Sequence, residues 1–380
     1  MDTLLTKGVH EVIVRDHLER ALKSGKKLRV KFGIDPTSPE LHLGHLVPLL
    51  KLKQFQDVGH KIVLIIGDFT AVIGDPSGRS ETRKPLTAAQ VRANFKTYLK
   101  QAGKILDVKK IEVHNNSVWY KKGGQELLLQ LAARVSAQQL LEREDFQKRM
   151  KAGEAISALE MLYPVFQGYD SVAVKADVEI GGTDQKFNLL MGRRLQRSYG
   201  LQEQNIITTP LLVGTDGIRK MSKSYGNFIA LSDKPADVFG KTMSVPDALL
   251  KNYFELLTSV EYPEALSPYD AKQLLAGELV RLLYGEKEME KSKENFQKVF
   301  SKKEIPEDMP TIGLDVPEIA ALDLLLLSGI KSKSEARRLI AQKAVDVENV
   351  TIQNPEEIIS VHEPVVLKVG KKRFFKVVRI

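Results

Sequence analysis

The sequence predicts an α/β protein built on a Rossmann-like, doubly wound parallel sheet. An α-helical domain and a small α+β module are expected to follow it. Three observations carry this reading. Strands and helices alternate near residues 28–75 and again near 172–213. The strand Lys61–Gly67 is a continuous apolar run, as expected when both faces of a parallel strand are covered. The charge- and proline-rich stretch from Lys302 to Pro317 separates a short C-terminal module from the rest.

The elements follow in order. Leu28–Phe32 reads as a short strand. Leu43–Val58 reads as a helix, with apolar positions at Leu46, Leu49, Leu50 and Phe55 and Gly59 just past its end. Val172–Val174 and Asp177–Ile180 are expected to be strands leading into Gly181-Gly182-Thr183-Asp184, then a helix through Leu195. Ile206-Ile207, continuing through Leu211–Val213, predicts another strand. Ligands in such sheets bind at the carboxyl ends of the strands. The dinucleotide fingerprint G-x-G-x-x-G is absent after the first strand. Residues 86–165 read as a mostly helical insertion within a catalytic domain at 1–229, with amphipathic segments at Gln125–Arg134 and Ala137–Lys148. Residues 230–305 are helical, with breaks at Pro246, Pro263 and Pro268. The linker is placed at 306–317 and the module at 318–380. Within that module, Ile319–Leu327 predicts a helix ended by Gly329, and Ser334 caps a second helix through Lys343. Strands at Val365–Val369 and Arg373–Val378 would be joined by a turn at Gly370-Lys371-Lys372.

Composition narrows the function classes. No run approaches the ~18 apolar residues a membrane helix needs, and the first residues lack the pattern of a signal peptide. The chain has no cysteine, which excludes disulfides and thiolate zinc sites and fits a cytoplasmic protein. The net charge of +9 suits a polyanionic partner, or simply a solvated lysine-rich surface.

The chemistry lies in a few spaced motifs. His42 and His45 stand three apart at a helix start, where free backbone N–H groups and the dipole favour phosphate. Gly44 between them permits close approach of a base or ribose. Lys220 and Lys223, in Lys220-Met221-Ser222-Lys223-Ser224, can clamp a triphosphate from a loop. Gly182 and Asp184 follow a strand, and Asp184 can accept both hydrogens of a ribose diol. Tyr163, Gln167 and Asp170 share one helical face and offer a phenol, an amide and a carboxylate. Asp75 is a turn former or an ammonium partner. Each motif alone has a plainer reading: surface histidines, a solvated basic loop, a tight turn, a helix edge. The histidine and lysine pairs together point to ATP-driven adenylation. In residues 318–380, 11 Lys and Arg face 8 Asp and Glu, and Lys331, Lys333, Arg337, Arg338 and Lys343 form a basic ridge.

On these motifs the sequence resembles the bacterial tyrosyl-tRNA synthetases, a class I aminoacyl-tRNA synthetase family. His42-Leu43-Gly44-His45 matches the "HIGH" signature and Lys220–Ser224 matches "KMSKS" letter for letter. Gly33–Thr37, Gly74–Ser77, Tyr163–Asp170 and Gly181–Gln185 match marks of the tyrosine enzymes. The tail from Glu335 to Ile340 with its strand pair is similar to a small RNA-binding module of a ribosomal protein. The resemblance implies that Tyr163, Gln167 and Asp75 hold the substrate ammonium, Asp170 accepts its phenol O–H and Gln185 orients its carboxylate. It implies that Gly33, Asp35, Gly44, Gly182, Asp184 and Met221 meet ATP, and that Thr37, His42, His45, Lys220 and Lys223 form the catalytic set, with His45 near the ribose and the other four stabilising the departing pyrophosphate. It further implies L-tyrosine, Mg2+ carried by ATP, and tRNA(Tyr) as partners, with no protein-bound metal. Anticodon binding would fall to 230–305, and a homodimer would form through the helical insertion.

One departure stands out. In the best-known branch a tyrosine two residues before the glycine of G-x-D-P-T helps read the substrate hydroxyl. Here that position is Lys31, followed by Phe32, so Asp170 needs a different partner. The alternatives are a tryptophanyl synthetase, a non-catalytic RNA-binding relative, and a nucleotidyltransferase such as a pantothenate-activating ligase. The intact signatures, Asp170 and the C-terminal module weigh against them.

Overall fold

A computed structural model describes residues 2–75, 87–301, 309–348, 350–370 and 373–380. The chain divides into two compact units, Met1–Ser292 and Lys293–Ile380.

The first unit is organised by a six-stranded sheet in the order β1-β6-β5-β2-β3-β4. Its strands are β1 (Glu11–Ile13), β2 (Arg29–Ile34), β3 (Lys61–Ile66), β4 (Glu112–Asn115), β5 (Val178–Gly182) and β6 (Asn205–Thr209). All neighbours run parallel except β1, which pairs antiparallel with β6 at the edge. The interior strands are buried on both faces: Val30, Val63, Ile65, Val178 and Ile206 have no solvent exposure. Sequence order runs outward from β2 to β4, then restarts on the other side with β5 and β6. The switch point therefore lies between β2 and β5, where a doubly wound sheet opens its ligand crevice. Those two strands pair only at Val30↔Val178 and Lys31↔Glu179 before parting.

Helices cover both faces. Leu43–Asp57 buries Leu43, Leu46, Val47, Leu49, Leu52 and Phe55 against the sheet. Ala158–Ala173 packs along Lys186–Ser198, with Gly168 close against the backbone of Met191 and Gly192. The helices Pro235–Met243, Leu250–Leu257 and Pro268–Tyr284 follow, as expected for 230–305.

Several local expectations are corrected. Val172 and Ala173 end a helix, and Val174 caps it; Val172 and Val174 are buried there, and Lys175 with φ 50° reverses the chain into β5. Leu211–Val213 does not extend β6, because Pro210 brings no N–H to the ladder and the chain turns into the lysine loop. The stretch 86–165 carries β4 besides its helices, so it supplies the sheet's far edge. The segment Ala137–Lys148 breaks into Ala137–Leu140 and Glu144–Lys151, because Arg143 is extended where it chelates Asp145.

The second unit contains a five-stranded sheet, β10-β9-β12-β13-β7, and a two-stranded one, β11-β8. These are β7 (Thr311–Leu314), β8 (Glu318–Ala320), β9 (Val345–Val347), β10 (Val350–Thr351), β11 (Ile358–Ser360), β12 (Val365–Val369) and β13 (Arg373–Arg379). Two short helices, Ala321–Leu327 and Lys333–Ala341, bury Leu324, Leu325, Ala336 and Ile340 against them. Part of the expected linker is β7, because Leu314 buries its side chain while the strand pairs with β13. Residues 302–308, which include the start of that linker, lie outside the described residues, as do Lys371 and Lys372 of the expected turn. The first helix starts at Ala321 because Glu318–Ala320 pairs with β11. Ser332, not Ser334, caps the second, accepting from the Glu335 N–H at 3.2 Å.

Candidate active site

The carboxyl ends of β2, β3, β5 and β6 open onto a cavity of about 510 Å³. Every residue of the expected catalytic, tyrosine and ATP sets lines it: Thr37, His42, His45, Lys220 and Lys223; Asp75, Tyr163, Gln167, Asp170 and Gln185; Gly33, Asp35, Gly44, Gly182, Asp184 and Met221. Pro76–Gly78, the rest of the motif around Asp75, lies outside the described residues. The five basic residues, Lys331, Lys333, Arg337, Arg338 and Lys343, belong to the second unit. All five are exposed, opposite the buried Ala336 and Ile340.

The two histidines are locked by a reciprocal cap. The Gly44 N–H donates to His42 Nδ1 at 3.1 Å, and the His42 N–H donates to His45 Nδ1 at 3.2 Å. A neutral ring that accepts at Nδ1 carries its proton on Nε2, so each presents an Nε2–H donor. Burial holds both rings neutral: the His42 pKa falls to about 2 and the His45 pKa to about 4, with Lys223 adding to the effect on both and the His45 ring adding to it on His42. The ring centroids are 4.0 Å apart. A Cβ at Gly44 would stand 2.9 Å from His42 Cε1, which explains the glycine between them. We predict that Gly44→Ala displaces the His42 ring and lowers kcat for amino-acid activation by up to about 10²-fold, the scale of a ~1 Å misplacement. Pyrophosphate exchange with a parallel melting curve would check it; an unchanged kcat would refute the packing argument.

The lysine loop is held in a defined turn. Asn227 accepts from the Ser222 N–H at 2.8 Å and donates to Asp216 at 3.0 Å, and the Met221 N–H donates to the Leu212 carbonyl. Lys220 Nζ reaches Asp184 Oδ2 at 2.8 Å. Lys223 Nζ reaches Ser38 Oγ at 3.0 Å and Glu40 at 3.4 Å. Burial lowers the Lys223 pKa, against the pull of Glu40. Both ammonium groups therefore already lie on the cavity wall, each on an exchangeable polar partner.

The opposite wall is a polar network around one helix. The Tyr163 hydroxyl donates to Asp35 Oδ2 at 2.9 Å, and Thr70 donates to Oδ1 at 2.7 Å. A Cβ at Gly67 would fall 1.9 Å from Asp35 Oδ1, so only glycine admits this carboxylate. Asn188 donates to Gln167 Oε1 at 2.9 Å and to Asp75 at 3.4 Å. Asp170, 3% exposed, accepts from Trp119 Nε1 at 2.9 Å and Asn116 Nδ2 at 3.3 Å. Burial raises its pKa to about 7, with Lys31 opposing. Sequence reasoning does not single out Trp119, Asn116, Asn188, Thr70 or Ser38. Of the residues around Asp170 outside its own helix, it marks only Lys31, as a departure.

The sequence model of the family described as "tRNA synthetases class I (W and Y)" matches residues 23–301. That description spans two substrates, and full-length relatives narrow it. The chain is 48% identical to the tyrosine–tRNA ligase of Aquifex aeolicus over 99% of its own length and 97% of the relative's. It is 46% identical to that of Thermotoga maritima, over 98% and 96%. The chain belongs to the tyrosine–tRNA ligases. Solved structures bear out the class I fold. A truncated mitochondrial tyrosyl-tRNA synthetase of Aspergillus nidulans has a TM-score of 0.64 at 24% identity, over 77% of this chain and 91% of that one. The Archaeoglobus fulgidus enzyme scores 0.61 at 22%, over 77% and 98%. Among the described residues no helix is long and apolar enough to cross a membrane, and no cluster of acidic or histidine side chains is placed to hold a metal.

Proposed function

We propose that this chain activates L-tyrosine with Mg-ATP and transfers the tyrosyl group to the terminal adenosine of tRNA(Tyr), in the cytoplasm. The observation that carries this reading is the convergence of the neutral histidine pair, the two loop lysines and the buried Asp170 on one cavity. A tyrosine carboxylate oxygen attacks the α-phosphorus, and the bond to the bridging oxygen of the β-phosphate breaks to release pyrophosphate. A ribose hydroxyl of tRNA then attacks the tyrosyl carbonyl and AMP leaves. No enzyme nucleophile is required. Tyr163, Gln167 and Asp75 would hold the ammonium, Gln185 the carboxylate and Asp170 the phenol O–H. Gly33, Asp35, Gly44, Gly182, Asp184 and Met221 would meet the adenosine side. Thr37, His42, His45, Lys220 and Lys223 would stabilise charge moving onto pyrophosphate. Magnesium arrives with ATP as part of the substrate. Asp184 is paired with Lys220, so ATP binding would exchange that pair for ribose and phosphate interactions. Pyrophosphate exchange with tyrosine, phenylalanine and tryptophan tests the reading: exchange with tyrosine alone supports it, and exchange with tryptophan alone overturns it.

The tRNA step would use residues 230–305 for the anticodon and the ridge of Lys331, Lys333, Arg337, Arg338 and Lys343 for the phosphate backbone. Arg337→Ala combined with Arg338→Ala is expected to raise the KM for tRNA. The slope of its salt dependence should flatten by about one for each phosphate that is no longer neutralised. Pyrophosphate exchange would stay unchanged. Unaltered tRNA kinetics would remove the ridge from the assignment.

We also propose a homodimer through the helical stretch 115–160. Val118 and Leu129 are 62% and 73% exposed there, and Leu159 and Met150 about half. Val118→Asp with Leu129→Asp is expected to give a folded monomer by light scattering. A dimer that persists would move the interface elsewhere.

A further inference from the structure

Beneath the helix Ala158–Ala173 lies a charged pair in the middle of the sheet. Lys31 is 0% exposed, Glu179 is 1% exposed, and Nζ stands 2.8 Å from Oε1. The two are register partners in the last paired position of β2 and β5, directly before those strands part. On β3 the register partner of Lys31 is Val63, which is fully buried. Each of the three Lys31 protons has an acceptor. One goes to Glu179, one to Ser171 Oγ at 2.7 Å and one to the Gln167 carbonyl at 3.1 Å. Glu179 in turn accepts from Ser171 Oγ at 2.9 Å, from Gln204 Nε2, and weakly from Gln167 Nε2 at 3.5 Å.

A buried ion pair of this kind is about neutral for stability relative to an apolar pair of the same shape. Its bonding partners suggest what else it does. Gln167 and Ser171 flank Asp170 on the helix Ala158–Ala173, three residues before and one after. The pair therefore grips the one turn that presents both the amide and the carboxylate to the cavity.

We propose that Lys31 and Glu179 are positioning residues for selection of the substrate hydroxyl: they fix the Gln167–Ser171 turn and set the charge at Asp170. The proposal rests on the reading that Asp170 accepts the phenol O–H. The groups facing Asp170 are Lys31 from β2, Glu179 from β5, Tyr120 from the helix Ser117–Ala132, and Tyr163 from its own helix. Asn116 and Trp119 are neutral donors. Lys31 is the cation among them, and it is the largest influence opposing the rise that burial causes. Glu179 acts in the other direction, so the pair balances the site's charge instead of touching the substrate.

The test is the pH dependence of kcat/KM for tyrosine and phenylalanine in pyrophosphate exchange, which reports groups of the free enzyme. For the unaltered protein, the tyrosine value should fall on the acid side of about pH 7. In Lys31→Met with Glu179→Gln, which keeps the core neutral overall, that limb moves to higher pH. Tyrosine kcat/KM at pH 6 drops about tenfold for a limb displaced from pH 7 to 8. The phenylalanine value changes little, so the preference narrows. Glu179→Gln alone moves the limb the opposite way, because Lys31 then faces Asp170 unopposed. A purely structural pair would move both variants and both substrates together, and that outcome overturns the proposal. Ser171→Ala, which removes one hydroxyl shared by the pair, covers the case of a double variant that does not fold. It must lower tyrosine kcat/KM and spare the phenylalanine value, or the proposal fails. Asp170→Asn run alongside separates the two levels: an unchanged preference there overturns the reading of Asp170 itself.

Discussion

Lys223→Ala is expected to slow tyrosyl-adenylate formation by about 10²–10³-fold, the loss seen when one donor to a developing oxyanion is removed. The reasoning starts from placement. Lys223 Nζ rests 3.0 Å from Ser38 Oγ and 3.4 Å from Glu40, on the same cavity as the histidine helix. Its charge depresses both histidine pKa values, so it acts across the space where a triphosphate would lie. Charge that builds on the leaving pyrophosphate in the transition state would gain more from this ammonium than the ground state does. Tyr163, Gln167 and Asp170, proposed here as the tyrosine readers, have their own network, to which Lys223 contributes no bond. Tyrosine affinity, read by equilibrium titration, should therefore stay within a factor of a few while kcat falls. Collapse of tyrosine binding would show that the loop shapes the amino-acid pocket and would remove Lys223 from the chemistry. The same geometry fixes a pH expectation. His42 and His45 have pKa values lowered to about 2 and 4, so both are neutral above about pH 5 and should add no titration of kcat/KM between pH 5 and 8. An acid limb that disappears in His45→Asn but survives in Asp170→Asn would contradict this.

The grouping of the candidate site on one cavity was legible in the sequence because its residues come as short, regularly spaced sets. His42 and His45 sit one turn apart, and Tyr163, Gln167 and Asp170 sit along one helical face, so spacing alone puts each set together. The alternation of apolar strands with amphipathic helices likewise exposed the doubly wound sheet. The partners of those residues were not legible. Trp119 and Asn116 reach Asp170 from about fifty positions away, and nothing local marks an asparagine or tryptophan as a carboxylate's donor. Lys31 and Glu179 meet only because β2 and β5, which are far apart in sequence, lie side by side at the switch point. The local errors have the same origin. Val172 and Val174 have β-branched side chains that favour a strand, but helix packing buries them and outweighs that preference. The edge strand β4 is short and half-buried, so its pattern is too weak to separate from the helices around it.

Asp170→Asn tests the selective half of the site, and the structure specifies why so small a change should matter. The carboxylate accepts Trp119 Nε1–H on Oδ1 and Asn116 Nδ2–H on Oδ2. An amide has one accepting atom where the carboxylate has two. If its oxygen faces Trp119, its NH2 group meets that of Asn116. Asn116 cannot turn over to relieve this without losing the bond its Oδ1 accepts from the Phe69 N–H at 2.8 Å. One buried donor is thus left without a partner, and the substrate phenol loses its charged acceptor. Hydrogen bonds to charged groups contribute about 1.5–3 kcal/mol, so tyrosine kcat/KM should fall by roughly 10–10²-fold. Phenylalanine, which offers no hydroxyl, leaves the native carboxylate buried and unmatched. It should lose little in the variant and can gain, because a neutral amide is less costly to leave dry. The quantity to measure is the ratio of kcat/KM for tyrosine to that for phenylalanine at pH 8, where Asp170 with its pKa of about 7 is mostly ionised. A narrowed ratio supports hydroxyl selection by Asp170. An equal loss for both substrates would mean that the residue only holds Trp119 and Asn116 in place, and that the hydroxyl is read elsewhere on the cavity wall.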